Sequence, residues 1–182
     1  MVMRTVVARE RPAADVEIAE IAEVAPRRPT AERWLIGLVA FQGVTGTAGG
    51  TAFLVAPESG AEWFPEEWLD RIPFDSFFWP GIILGVGLGV SALVIAYGLV
   101  RRPDWRMARS VERWTGHHWS WATSIGLGAG LTAWIVVELL LIPDISWLQP
   151  FYFTVGALIV GTSLAPSVRE HLHHDVEEEI GT

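Results

Sequence analysis

Four long apolar stretches dominate this chain. They cover residues 34–56, 77–100, 119–142 and 148–165 and contain one formal charge, Glu138. Helices of water-soluble proteins keep a polar face, and apolar runs of this length are rare outside lipid bilayers. At about 1.5 Å per residue, the first three stretches reach about 35 Å and the fourth about 27 Å, against a hydrocarbon core of about 30 Å. The pattern predicts an all-α fold, a transmembrane four-helix up-down bundle over residues 33–166.

The arginines predict how this bundle is oriented. All 13 basic residues are arginine, and Arg71 is the only one between the first and second stretches or between the third and fourth. Positively charged residues collect on the cytoplasmic side of membrane proteins. We therefore expect a multi-pass protein with both termini in the cytoplasm, in which residues 1–32 form a flexible tail and residues 167–182 a polar tail. Arginine without lysine favours a bacterial source and hence the bacterial cytoplasmic membrane.

Composition excludes several classes of function. The formal net charge of −8 disfavours nucleic acid as a partner, because phosphate binding needs a basic surface. Cysteine is absent, so thiol–disulfide chemistry and cysteine-ligated metals are excluded. Nucleotide-binding and hydrolase motifs are also missing from suitable contexts. We expect no catalytic residue, no metal and no cofactor.

The segment between the second and third stretches predicts a short interfacial helix. Asp104 is a plausible N-cap, and Met107 and Trp114 fall on its apolar face. Arginines occupy the opposite face: Arg106, Arg109 and Arg113. Such a helix would lie among lipid headgroups and favour anionic lipid. The alternative is that these arginines only set the topology.

Glycines spaced four residues apart predict where the helices pack. Helices in lipid associate through close backbone approach, which small residues permit. The glycines with this spacing are Gly46, Gly50, Gly81, Gly85, Gly89, Gly126 and Gly130. They favour a tight bundle within one chain or a seam between two copies. The expected partners are the lipid bilayer and either another membrane protein or a second copy.

Glu138 is the leading candidate for function, because ionisable residues inside spans are rare and costly. By their depth in the bilayer, Tyr152 and Thr51 are expected beside it near the outer surface. We consider that Glu138 binds a proton or a ligand there, with a hydrogen bond to one of these hydroxyls. The alternative is a structural carboxyl group. Gln42 is the next polar residue within a span, and it lies too far in depth to join the same site.

Histidines gather on the arginine-rich side: His117, His118, His171, His173 and His174. Five imidazoles permit a metal-site hypothesis, since histidine is the commonest ligand of transition metals. We favour solvated interfacial histidines, because none of them lies at mid-membrane facing another.

Two segments carry a resemblance to known proteins. One runs from Trp134-Ile-Val-Val-Glu138 through Pro143 to Trp147–Phe153, and the other is Phe78-Trp79-Pro80-Gly81 at the start of the second stretch. They resemble small four-helix bacterial membrane proteins, and the general layout is loosely similar to DoxX-like proteins. The resemblance covers about residues 34–166 and implies a fold and a compartment without an activity.

These observations predict a non-enzymatic integral membrane protein that packs with a partner or binds a lipophilic small molecule. The alternative is a proton-coupled transporter of a small solute that uses Glu138. An enzyme acting on lipid or quinone is disfavoured, because the spans lack paired acid and base groups at one depth.

Overall fold

In a computed structural model, the described residues of the chain are 28–56, 70, 73–142 and 146–180, with side chains described as far as His173. All regular structure within these ranges is helical, which confirms the all-α prediction. The helices are α1 (Thr30–Val55), α2 (Phe78–Arg101), α3 (Arg109–Thr115), α4 (Trp119–Leu141), α5 (Leu148–Ser163) and α6 (Pro166–Ile180). Residues 1–27 of the predicted N-terminal tail lie outside the described residues.

Three helices are long and apolar enough to cross a membrane: α1, α2 and α4. Helix α5 has 16 residues and reaches about 24 Å, which is short for a span. It joins α6 across a bend of 56°, and the pair counts as a fourth candidate span only if it is taken as one broken helix. Pro166 begins α6, where proline is tolerated because the first helical N–H has no partner within the helix.

The four long helices form a bundle in which α1 and α4 each contact both α2 and α5. Gly43 of α1 lies against Leu93, and Gly50, two turns later, lies against Gly85. The two helices therefore run in opposite directions. We call the end of the bundle at which α1 begins and α2 ends, marked by Arg28, Arg33, Arg101 and Arg102, the arginine end.

Helix α2 contains a π-helical segment, Ile83–Val90, between α-helical turns. Wider turns of this kind are rare and often accompany functional sites. Gly85 and Gly89 within it face α1, and an added Cβ on the opposing Gly50 would collide with the backbone of Gly85. Gly87, between them, faces away from α1 and has no atom within 4 Å of an added Cβ. The two sides of one glycine-rich segment thus have different surroundings.

The α4–α5 contact uses a different glycine from those predicted. An added Cβ at Gly128 would lie 2.8 Å from the carbonyl oxygen of Gly156, whereas at Gly126 nothing lies within 4 Å. At Gly130 the nearest atom is Leu88 Cδ2, at 3.9 Å. Two residues along an α-helix correspond to about 200° of rotation, so Gly128 points away from the face that Gly126 and Gly130 share. The four-residue spacing therefore marks an open face of α4.

The segment treated as a polar C-terminal tail is helical to Ile180 and partly joins the core. Val168 and Leu172 of α6 are fully buried, and the Leu172 carbonyl accepts a hydrogen bond from the His118 N–H at 3.2 Å. These two apolar residues are four apart and therefore lie on one face of the helix. The charged residues around Val168 and Leu172 made this apolar face difficult to predict from the sequence.

Candidate functional site

A groove of about 330 Å³ lies between α2 and α4. It is lined by Ile83, Gly87, Leu88, Gly130, Ala133, Trp134 and Val137. Two of the lining residues are glycines whose missing side chains leave the space open. The groove therefore results from the π-helical segment of α2 facing the glycine face of α4.

Trp134 is the lining residue whose side chain carries a polar atom. Its indole Nε1 is buried and has no hydrogen-bond partner among the described residues. A buried N–H without a partner costs free energy, of the order of 1–3 kcal/mol, so such groups are rare in folded proteins. Ligand sites are typically apolar and carry a few directed polar groups of this kind.

Glu138 lies one helical turn after Trp134 and next to Val137, so it sits beside the groove. Its side chain is half-buried, and the Trp134 indole is close enough to interact with the carboxyl group without the geometry of a full hydrogen bond. Together the indole and the carboxyl form a donor–acceptor pair beside an otherwise apolar groove.

The two residues predicted to accompany Glu138 are engaged elsewhere. Tyr152 packs on α1, with its ring centroid 6.5 Å from that of Phe41, and the Thr51 hydroxyl donates a hydrogen bond to the Thr47 carbonyl at 2.7 Å. Within the described ranges, neither hydroxyl hydrogen-bonds to Glu138. A threonine in a helix satisfies its hydroxyl on the preceding turn, so an equal depth in the bilayer was a poor guide to contact.

Gln42 is fully buried on α1, and both polar atoms of its amide have no hydrogen-bond partner in the described part of the chain. Buried serines lie in the half of the bundle nearest the arginine end: Ser120, Ser124 and Ser163. Ser124 and Ser163 each donate to a carbonyl one turn earlier. Polar character inside the bundle is thus concentrated toward the arginine end, away from Glu138.

A buried ion-pair cluster closes the arginine end, and sequence reasoning did not identify it. Glu32 is fully buried and accepts a hydrogen bond from Arg102 Nη2 at 3.0 Å. Arg28 Nε lies 3.7 Å from the same carboxylate oxygen, and His171 Nε2 lies 3.3 Å from the other. The cluster ties together the start of α1, the end of α2 and helix α6. In the sequence, the cluster is indicated by Arg28 and Glu32, which are four residues apart just before the first apolar stretch.

His117 and His118 are buried, which corrects their interpretation as solvated interfacial residues. His117 stacks on Trp121, with ring centroids 4.3 Å apart. His118 caps α4 through its Nδ1, which accepts the Ser120 N–H. Burial, and then the positive charge of Arg102, lower the pKa of His118 to about 4, so this side chain is neutral at pH 7. Within the described residues, no three or more histidine and acidic side chains are grouped to hold a metal ion.

The predicted interfacial helix is shorter than its sequence pattern. Asp104 does not cap it; its carboxylate instead pairs with Arg109, 2.6 Å from Nη2. The hydrogen bond from Arg109 is the main cause that lowers the pKa of Asp104. The helix runs from Arg109 to Thr115 and is capped at its C-terminus by Gly116, whose φ of 67° suits glycine. Arg106 therefore lies before the helix, while Arg109 and Arg113 lie within it.

The chain matches no protein-family model, no curated protein and no solved structure. Over residues 28–56, 70, 73–142 and 146–180, the regular structure is helical, and three apolar helices could span a membrane, or four if the bent pair α5–α6 is one span.

Proposed function

We propose that this protein is a multi-pass membrane protein that binds a lipophilic small molecule in the groove between α2 and α4. In this proposal the long helices form an up-down bundle in a bacterial cytoplasmic membrane, with the arginine end in the cytoplasm. Support for the orientation comes from the arginine distribution, because positive charge favours the cytoplasmic side. The role is binding rather than catalysis.

One observation carries the proposal: the groove between α2 and α4 is lined by apolar side chains and two glycines, and the Trp134–Glu138 pair lies at its edge. The apolar part of a ligand would contact Ile83, Leu88 and Val137, and a small polar head would lie next to this pair. A groove of about 330 Å³ is at the lower end of the volumes found for small-molecule sites, which begin at about 300 Å³.

Glu138 adds a second requirement on the ligand, because its carboxyl group needs a polar partner. A half-buried carboxyl group beside an apolar groove favours a partner that donates a hydrogen bond or carries a proton. The ligand therefore carries a small polar head on an apolar body. Its head lies near Trp134 and Glu138, and its body follows the glycine face toward Gly130.

Photo-crosslinking in lipid nanodiscs tests the proposal. The probe is a fatty-acid methyl ester with a diazirine in its acyl chain, which offers an apolar body and a carbonyl acceptor. We expect the label on residues 83–88 and 130–137. Gly130→Leu should reduce labelling there about tenfold or more, because Gly130 lines the groove and the new side chain would occupy it.

Gly161→Leu is the matched control. Gly161 lies on α5, and an added Cβ there meets nothing within 4 Å, so the substitution adds the same bulk outside the groove. The proposal predicts unchanged labelling for this variant. Labelling spread evenly over all lipid-facing helices, or a Gly130→Leu variant that labels like the unmodified protein, would contradict it.

A further inference from the structure

The loop between α2 and α4 is held firmly against the arginine end. The Trp105 and Trp119 rings stack with centroids 4.9 Å apart, and the Trp119 indole donates to the Pro103 carbonyl at 3.3 Å. Farther along, the Glu112 carboxylate accepts the Trp119 N–H at 3.2 Å, and Val111 packs on the core. The inward side of this segment is therefore occupied, and its outward side is fixed in place.

The outward side combines two exposed apolar side chains with positive charge. Met107 is 94% exposed and Trp114 is 89% exposed, the two highest values among the large apolar residues described. Arg106 and Arg113 are exposed on the same segment and form no ion pair with the described residues. Arg109 differs from them, because Asp104 already neutralises it. We call Arg106, Met107, Arg113 and Trp114 the outer loop face.

The position of the outer loop face points to its partner. The segment follows the end of one apolar helix and precedes the start of another, so in a bilayer it lies at the headgroup layer. Tryptophan is enriched at that depth, and exposed apolar side chains beside unpaired arginines suit a surface with acyl chains on one side and phosphates on the other. A soluble acidic partner would not need Met107 and Trp114 to be exposed in this way.

We propose that the outer loop face binds anionic phospholipid, with Arg106 and Arg113 among the headgroup phosphates and Met107 and Trp114 among the upper acyl chains. The inference rests on the proposed membrane insertion and is independent of the groove between α2 and α4. Each arginine near an anionic surface strengthens binding about fivefold, so the two together should give a preference of about 30-fold over a zwitterionic lipid.

Native mass spectrometry of the full chain released from nanodiscs tests this inference. The nanodiscs contain equal amounts of phosphatidylglycerol and phosphatidylcholine, and the retained lipid is identified. We expect the unmodified protein to retain phosphatidylglycerol preferentially. Arg106→Gln with Arg113→Gln should reduce that preference about 30-fold, whereas Arg106→Lys with Arg113→Lys should keep most of it.

The matched control is Arg33→Gln with Arg169→Gln, which removes two exposed arginines from the same end of the bundle. This variant should keep the preference for phosphatidylglycerol. An equal loss in the control variant would show that only total charge matters and would overturn the inference. Equal retention of both lipids by the unmodified protein would overturn it as well, and so would a Trp114→Ser variant that retains lipid unchanged. Failure of the protein to enter nanodiscs would instead contradict the proposed function.

Discussion

The two glycine-lined sides of α2 differ in packing: one is in close contact with α1, and the other borders an open groove. On one side, Gly85 lies so close to α1 that a Cβ added to the opposing Gly50 would collide with its backbone. On the other side, Gly87 faces Gly130 of α4 across a groove of about 330 Å³. The residue type is the same and the positions differ by two residues. Glycine therefore permits close approach without causing it, and the opposing helix decides whether the space is closed.

The largest effect is expected when one carbon is added on the closed side, where α1 contacts α2. We expect Gly50→Ala to lower the free energy of unfolding by about 3 kcal/mol or more, because the new Cβ meets backbone that no rotamer change can move. The measurement is unfolding by sodium dodecyl sulfate in mixed micelles, followed by circular dichroism. Gly37→Ala, on the same helix with nothing within 4 Å, should not destabilise the protein.

The same test on α4 should have a smaller effect. Gly128→Ala should lower the free energy of unfolding by about 1–2 kcal/mol, because its Cβ would meet the Gly156 carbonyl together with flexible side-chain atoms of Val160. Gly126→Ala is the control on the open face. If both substitutions destabilised the protein equally, Gly126 would be in a seam and the assignment of the open face would be wrong.

His118 is buried at the arginine end and has a pKa well below its ordinary value, so pH should affect stability through that end of the bundle. The pKa of His118 is about 4 in the folded protein against about 6.5 unfolded, so the unfolded chain binds the extra proton. Stability is complete above pH 6.5 and is expected to fall as the pH drops from 6.5 toward 4. Unfolding measured from pH 7.5 to 5 should show this slope, and His118→Asn, which can still cap the helix, should flatten it.

The smallest effect is expected on the open side. Gly87→Ala should leave the free energy of unfolding unchanged or raise it by up to about 1 kcal/mol, since alanine has the higher helix propensity and its Cβ meets nothing within 4 Å. The same mixed-micelle unfolding measures it. A loss comparable to that of Gly50→Ala would mean that another chain or helix covers this side of α2.

The apolar helices could be predicted from the sequence, whereas most of the site could not. Long runs of apolar residues indicate helices that could span a membrane, and Glu138 was recognisable as the one charge inside them. The buried position of the Trp134 N–H beside Glu138 was not recognisable, because it depends on the side-chain conformation and on which atoms of α2 lie opposite. Glu32 was missed for a similar reason: its partners are two arginines, Arg28 and Arg102 at the end of α2, and the imidazole of His171 on α6.

The sequence by itself determined that the chain is helical and apolar enough for a membrane, because hydropathy and helix length are local properties that need no knowledge of neighbours. Only the tertiary structure decided which glycines close a seam and which leave a groove, and that a charged C-terminal segment folds back with Val168 and Leu172 in the core. The reason is geometric: a rotation of about 100° per residue turns adjacent positions toward different neighbours, and sequence spacing does not identify those neighbours.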